Sequence, residues 1–334
     1  MLRESTYIQL SVSKLIALWA FSECTLGGIL HALQIPFSGI LLGGIAVTIV
    51  CCIGFTAERP FWAILYATLV AISVKFALSP HTPVTAYLAV GFQGFLGALF
   101  FSFQTRFYPI YLIYGALALV ESALQKLLTL TIIFGNALWD SFHATTLHVV
   151  NILGLNPEIS YGAWILVAYA MIYLVWGAII GHWAYFIPIG IKDIPKSDIT
   201  SILSSETEFH NKKKKGKALL WISMALILFA SVWIFHLSGI NILKLIIRPI
   251  IIILLWWGVV NPIVKALLAR FLKGKNDKMS HIIRQIKQDI PQLQRLALQT
   301  AYYTGIHYKG INRIRHFILI LIVLTCEKNS DLAS

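Results

Sequence analysis

The sequence predicts an all-α polytopic membrane protein. Of its 334 residues, 58% are hydrophobic and 12% charged, whereas a soluble domain carries about 25% charged residues. Several apolar stretches exceed the roughly 18 residues that cross a bilayer core of about 30 Å. Prolines, glycines or charged residues punctuate those stretches at the spacing that turns between helices require.

Six spans are expected in the first part, at roughly 15–34, 40–56, 60–78, 84–103, 108–133 and 161–188. The breaks "IPFSG", "AERP", "SPHTP" and "QTRFYP" separate the first five. Residues 135–159 are less apolar, and their Leu, Val and Ile spacing predicts a short amphipathic helix. Two further spans are expected at about 218–237 and 240–268, the second kinked by Pro249 and Pro262. The last apolar run, 316–326, is too short to cross alone. It either extends back through 310 or lies re-entrant or interfacial. The first run is too long for a cleavable signal peptide and lacks a small-residue cleavage site.

Lysine and arginine set the expected orientation. With the N-terminus inside, the breaks at 35–39 and 79–83 and the whole of 134–159 face outside and hold no Lys or Arg. Arg59, Arg106, the "KKKKGK" run and the basic residues of 269–315 then fall inside. The formal charge of +13 is thus mostly cytoplasmic, in keeping with topology and attraction to anionic lipid. No base-stacking or groove-reading module accompanies it, so nucleic acid is not an expected partner. A bacterial inner membrane is the expected location.

The chain divides into a six-span unit at 1–190, a basic linker at 191–217 and a C-terminal unit at 218–334. The C-terminal unit reads as a helical hairpin followed by cytoplasmic amphipathic helices. In it Met279, Ile282, Ile283, Ile286, Ile290, Leu293 and Leu296 recur at three- and four-residue steps and form one apolar face. Pro291 bends that helix or divides it. Such a helix lies in the lipid interface or docks on a protein.

Charged groups inside spans cost several kcal/mol and normally face a bundle interior. Glu23 lies in the middle of the first span. His31 follows eight residues later, within about 80° around the helix. Gln93 lies mid-span in "GFQGFLGALFF", and Glu121 lies mid-span with Gln125 one turn on. Trp139, Asp140 and His143 stand at the outer mouth. Together Glu23, His31, Gln93, Glu121, Trp139, Asp140 and His143 form the expected solute-binding set, with Trp139 stacking a flat ring. Lys75 and Lys126 read either as partners for the carboxylates or as side chains snorkelling to the outer interface. Gly91, Gly94 and Gly97 read as close-packing positions. No HExxH, Walker loop or Gly-x-Ser-x-Gly elbow is present, so an enzyme is not expected. His143 and His148 lack metal-ligand spacing, and Cys24, Cys51, Cys52 and Cys326 read as small apolar residues. No cofactor or metal is implied.

The six-span unit, with its small residues Ala20, Cys24 and Gly28 at four-residue steps and the loop "IPFSGILLGG", resembles the substrate-binding S component of energy-coupling factor vitamin transporters. That resemblance implies an uptake protein for a small, vitamin-like solute, energised by cytoplasmic ATPase subunits. Ala20, Cys24 and Gly28 would then pack on a coupling subunit. In the C-terminal unit "LLARFLKGK", with Ala269 and Arg270, is faintly similar to the coupling motifs of the T component. It implies that Ala269, Arg270, Arg284 and Arg295 face such a partner. Phe271 departs from the motif's small third residue. Two other readings fit the buried polar groups: a structural subunit of a larger membrane assembly, and a proton-coupled transporter using Glu23 and Glu121.

Overall fold

The computed structural model describes residues 10–27, 38–78, 84–103, 107–190 and 276–327, with 250–251, 254–260, 262–263, 266–267 and 270 between them. His31, Gly28, Ala269, the linker at 191–217 and the expected span at 218–237 lie outside the described residues.

The described residues are mostly helical, with no strand among them. Helix α1 (Val12–Phe21) passes into a π-helical turn at Ser22–Leu26. Then come α2 (Ser38–Thr56), α3 (Pro60–Leu78), α4 (Val84–Phe103), α5 (Tyr108–Phe134), α6 (Asn136–Ile152) and α7 (Tyr161–Gly190). Helices α8 (Asn276–His307) and α9 (Gly310–Glu327) close the described chain. Among the described residues, α2, α3, α4, α5 and α7 are long and apolar enough to cross a membrane.

Length follows the sequence. Helices α2 to α4 have 19 or 20 residues, a rise of about 28–30 Å. Helices α5 and α7 have 27 and 30, or about 40 and 45 Å. A Cβ on Gly39, at the start of α2, would lie 3.5 Å from Ser122 and 3.8 Å from Tyr173. The end of α2 therefore meets α5 and α7 near their middles. Their far halves project beyond it and are capped by α6. Gly135, at φ 62°, turns the chain between α5 and α6 in a conformation that suits glycine.

Helices α5 and α7 meet backbone to backbone. A Cβ on Gly177 would sit 2.3 Å from the Gly115 carbonyl oxygen, and one on Gly181 would sit 2.1 Å from that of Tyr111. Such close approach is how spans associate where lipid removes the hydrophobic incentive. Elsewhere, Gly94 and Gly97 admit Thr68 and Val50 from neighbouring helices, as their packing role predicts.

The C-terminal helices join the same core. Helix α8 is one continuous helix with Pro291 inside it. Its apolar face, including Ile286, Leu293 and Leu296, is buried in one cluster with Leu15, Trp19, Val50, Val74 and Ile322. The amphipathic face thus docks on the chain's own bundle, against α1 and α3. Thr300 and Thr304 continue that face. Each hydroxyl donates to a carbonyl one turn back, so burial leaves no donor unmade.

Helix α9 extends the last apolar run back to Gly310. Arg313 and Phe317 share a hollow with Ile40 and Leu41 at one end of α2, and Cys326 lies beside the Ser11 backbone. Its 18 residues therefore run most of the depth of α2, with Ile322, Val323 and Leu324 almost wholly buried. This places the α8–α9 corner at the Gly39 end of the bundle, away from Ser11. The sequence places 269–315 together at one membrane face; among the described residues, the α8–α9 corner lies at the opposite end of the bundle from Ser11. Packing the apolar seams of α8 and α9 against the bundle removes them from water.

Candidate functional site

The Gly39 end of the bundle holds a cavity of about 280 Å³, roughly nine times the 30 Å³ share of a liquid water molecule. Five elements line it. Glu23 comes from the π turn, Gly39, Leu42 and Gly43 from α2, and Lys75 from α3. Thr85, Ala86, Ala89, Val90 and Gln93 come from α4, and Ser122, Gln125, Lys126, Thr129 and Leu130 from α5.

The wall is built by helical repeats. Ser122, Gln125, Lys126 and Thr129 stand at steps of three, one and three, which keeps them on one face of α5. Thr85, Ala89 and Gln93 follow at four-residue steps on α4. Small residues keep the space open. A Cβ on Gly43 would lie 2.5 Å from Leu119 Cδ2 and 3.3 Å from Gln93 Nε2. One on Gly27 would lie 3.9 Å from both Glu23 Oε2 and Lys75 Nζ.

Glu23 and Lys75 form the charged floor. Lys75 Nζ donates to Glu23 Oε2 at 2.7 Å, with side chains 2% and 5% exposed. Taking two ions out of water costs several kcal/mol each, and only close, well-aligned pairing offsets that. The π turn widens the helix where Glu23 leaves it, and such turns recur at functional sites.

The amides are anchored but not exhausted. Gln93 Nε2 donates to Ser122 Oγ at 3.1 Å, and Ser122 Oγ donates to the Ala118 carbonyl at 3.3 Å. The backbone carbonyl of Gln93 accepts from Tyr114 Oη at 3.1 Å, which leaves the side-chain oxygen free of that bond. Gln125 Nε2 donates to the Thr85 carbonyl. A primary amide offers two donors and two acceptor sites, so both glutamines keep capacity for a guest. Lys126 makes no hydrogen bond or ion pair among the described residues and is exposed.

The expected site residues divide. Glu23 and Gln93 line the cavity. Glu121 does not: its Oε2 is buried with no hydrogen-bond partner among the described residues. Asp140 and His143 are exposed on α6, and Trp139 packs edge-to-face on Phe142 at 6.3 Å. None of the three lines the cavity. Lys75, Ser122, Gln125 and Lys126 complete the wall instead. The polar stripe on α5 is visible in the sequence as helical spacing, and Glu121 borders it rather than belonging to it.

The expected partner face divides too. Ala20 and Cys24 are buried within the chain itself: α1 packs on α2, α3, α8 and α9, and the π turn on α2 and α3. Arg270, Arg284 and Arg295 are exposed. Among the described residues, no three His, Cys, Asp or Glu side chains gather as metal ligands. In comparison with known proteins, no family model, no curated protein and no solved structure matches the chain.

Proposed function

We propose that this protein binds a small polar solute within the membrane, as the binding component of an uptake system. One observation carries the reading. A cavity between membrane-crossing helices is lined by an ion pair, two amides with spare hydrogen-bonding capacity and a further lysine. Polar groups at such depth are costly and mark solute or ion pathways. A pocket near 300 Å³ suits a ligand at or below drug size. With the N-terminus cytoplasmic, the Gly39 end faces outside, and the cavity takes its solute from there.

The resemblance to S components supplies the energising step in this proposal, namely docking of cytoplasmic ATPase subunits. The exposed Arg270, Arg284 and Arg295 are the surface on offer to them.

The test is chemical. Full-length protein purified in mild detergent is denatured, and the released small molecules are identified by mass spectrometry. A retained solute is expected, with sharply reduced recovery from Gln93→Leu. Equal recovery from both proteins places the solute elsewhere, and empty protein that no added solute stabilises removes the reading.

A further inference from the structure

Resting on the solute-binding reading above, we infer that the cavity selects a small organic anion with one net negative charge, and that Lys126 is its counter-charge. Three ionisable side chains line the cavity among the described residues: Glu23, Lys75 and Lys126. The first two neutralise each other across 2.7 Å. The lining is therefore left with one positive charge, on the lysine that has no partner among the described residues.

Position strengthens this. Lys126 stands one residue beyond Gln125 and one turn beyond Ser122, on the polar stripe of α5. Lys126 shares the cavity lining with the Gln125 amide on the same face of α5 and with the Gln93 amide of α4. Thr129, the next stripe residue, donates its hydroxyl to the Gln125 carbonyl at 2.8 Å, which leaves oxygen lone pairs but no proton for a guest. The donors that remain are the Lys126 ammonium, the second amide protons of Gln93 and Gln125, and the two ammonium protons of Lys75 that Glu23 does not take. A lining whose one unneutralised charge is positive favours an anion and repels a cation. Lys75 does not supply this charge, because Glu23 already neutralises it at 2.7 Å, although its ammonium keeps donors beyond that bond.

The test uses three probes of nearly equal shape and different charge: benzoate, benzamide and benzamidinium. Binding to the full-length protein in detergent is read by thermal shift and isothermal titration at millimolar concentration. Benzoate is expected to bind about tenfold more tightly than benzamide, the scale of one charge-assisted hydrogen bond, and benzamidinium most weakly. Lys126→Met should weaken benzoate about tenfold while leaving benzamide unchanged. Lys126→Arg, which keeps the charge, should retain the preference and shows that loss in the methionine variant is not misfolding. Equal binding of benzoate and benzamide overturns the anion assignment and leaves the solute-binding reading standing, as does a benzoate preference that survives Lys126→Met. A preference for benzamidinium overturns it in favour of a cation. Failure of all three probes to bind overturns both readings.

Discussion

Glu23 Oε2 and Lys75 Nζ meet at 2.7 Å and join the π-turned end of the first helix to the last turn of α3. The two residues lie 52 positions apart in sequence. Their pairing turns two costly side chains into a neutral floor for the cavity.

Breaking that pair should be worse than removing it. Glu23→Gln or Lys75→Met alone leaves one buried charge unpaired and should cost about 3–5 kcal/mol. The double substitution should recover most of that loss. Thermal unfolding in detergent, arranged as a double-mutant cycle, measures the coupling. Additive losses would mean that the two side chains do not act as a pair.

This relationship also marks where sequence reading stops. Long apolar runs and their Pro or Gly breaks set out α2, α3, α4, α5 and α7 almost residue for residue, because length and composition decide what crosses a bilayer. The amphipathic α6 was legible for a similar reason. Which lysine Glu23 meets was not legible, since no periodicity links positions 23 and 75. Nor was the insertion of α8 and α9. Their seam residues are visible as a repeat, but a repeat does not say whether it packs on lipid, on a partner or on the chain itself.

Gln93 ties α4 to α5 through Ser122. Gln93→Leu should lose about 1 kcal/mol of stability from that bond, a modest change in Tm. Its effect on solute retention should be much larger, because the amide's remaining groups face the cavity. A variant that unfolds early yet binds normally would separate the residue from the site.

Glu121 carries a buried oxygen with no hydrogen-bond partner among the described residues and stands outside the cavity. Glu121→Gln removes a charge that nothing there offsets. Stability should be unchanged or raised by about 1 kcal/mol, and solute binding should match the parent protein. Loss of binding in this variant would return Glu121 to the site.

The backbone contact of α5 with α7 should tolerate no side chain. Gly177→Ala places a methyl group 2.3 Å from the Gly115 carbonyl oxygen, so the helices must part. Overpacking of this kind costs about 1–3 kcal/mol. Gly154→Ala has open space but a φ of 64°, and should cost less, about 1 kcal/mol from backbone strain. The order of the two Tm values checks the contact, and a reversed order would contradict it.

The placement of α9 can be tested with two positions on one helix. Val323 is fully buried among α9's core neighbours, whereas Arg315 is exposed. If α9 runs through the bundle interior, Val323→Asp buries an unpaired carboxylate and should cost several kcal/mol. Arg315→Asp reverses a charge in solvent or headgroups and should stay within about 0.5 kcal/mol. A helix merely resting on the membrane surface would show a smaller asymmetry, since a carboxylate at 323 could reach headgroups and water. Fluorescence-detected size exclusion after a heating series reads both variants in the same detergent. Early loss of the monodisperse peak for Val323→Asp alone would place α9 in the core. Equal behaviour of the two would remove it from there, and with it the explanation for the buried face of α8.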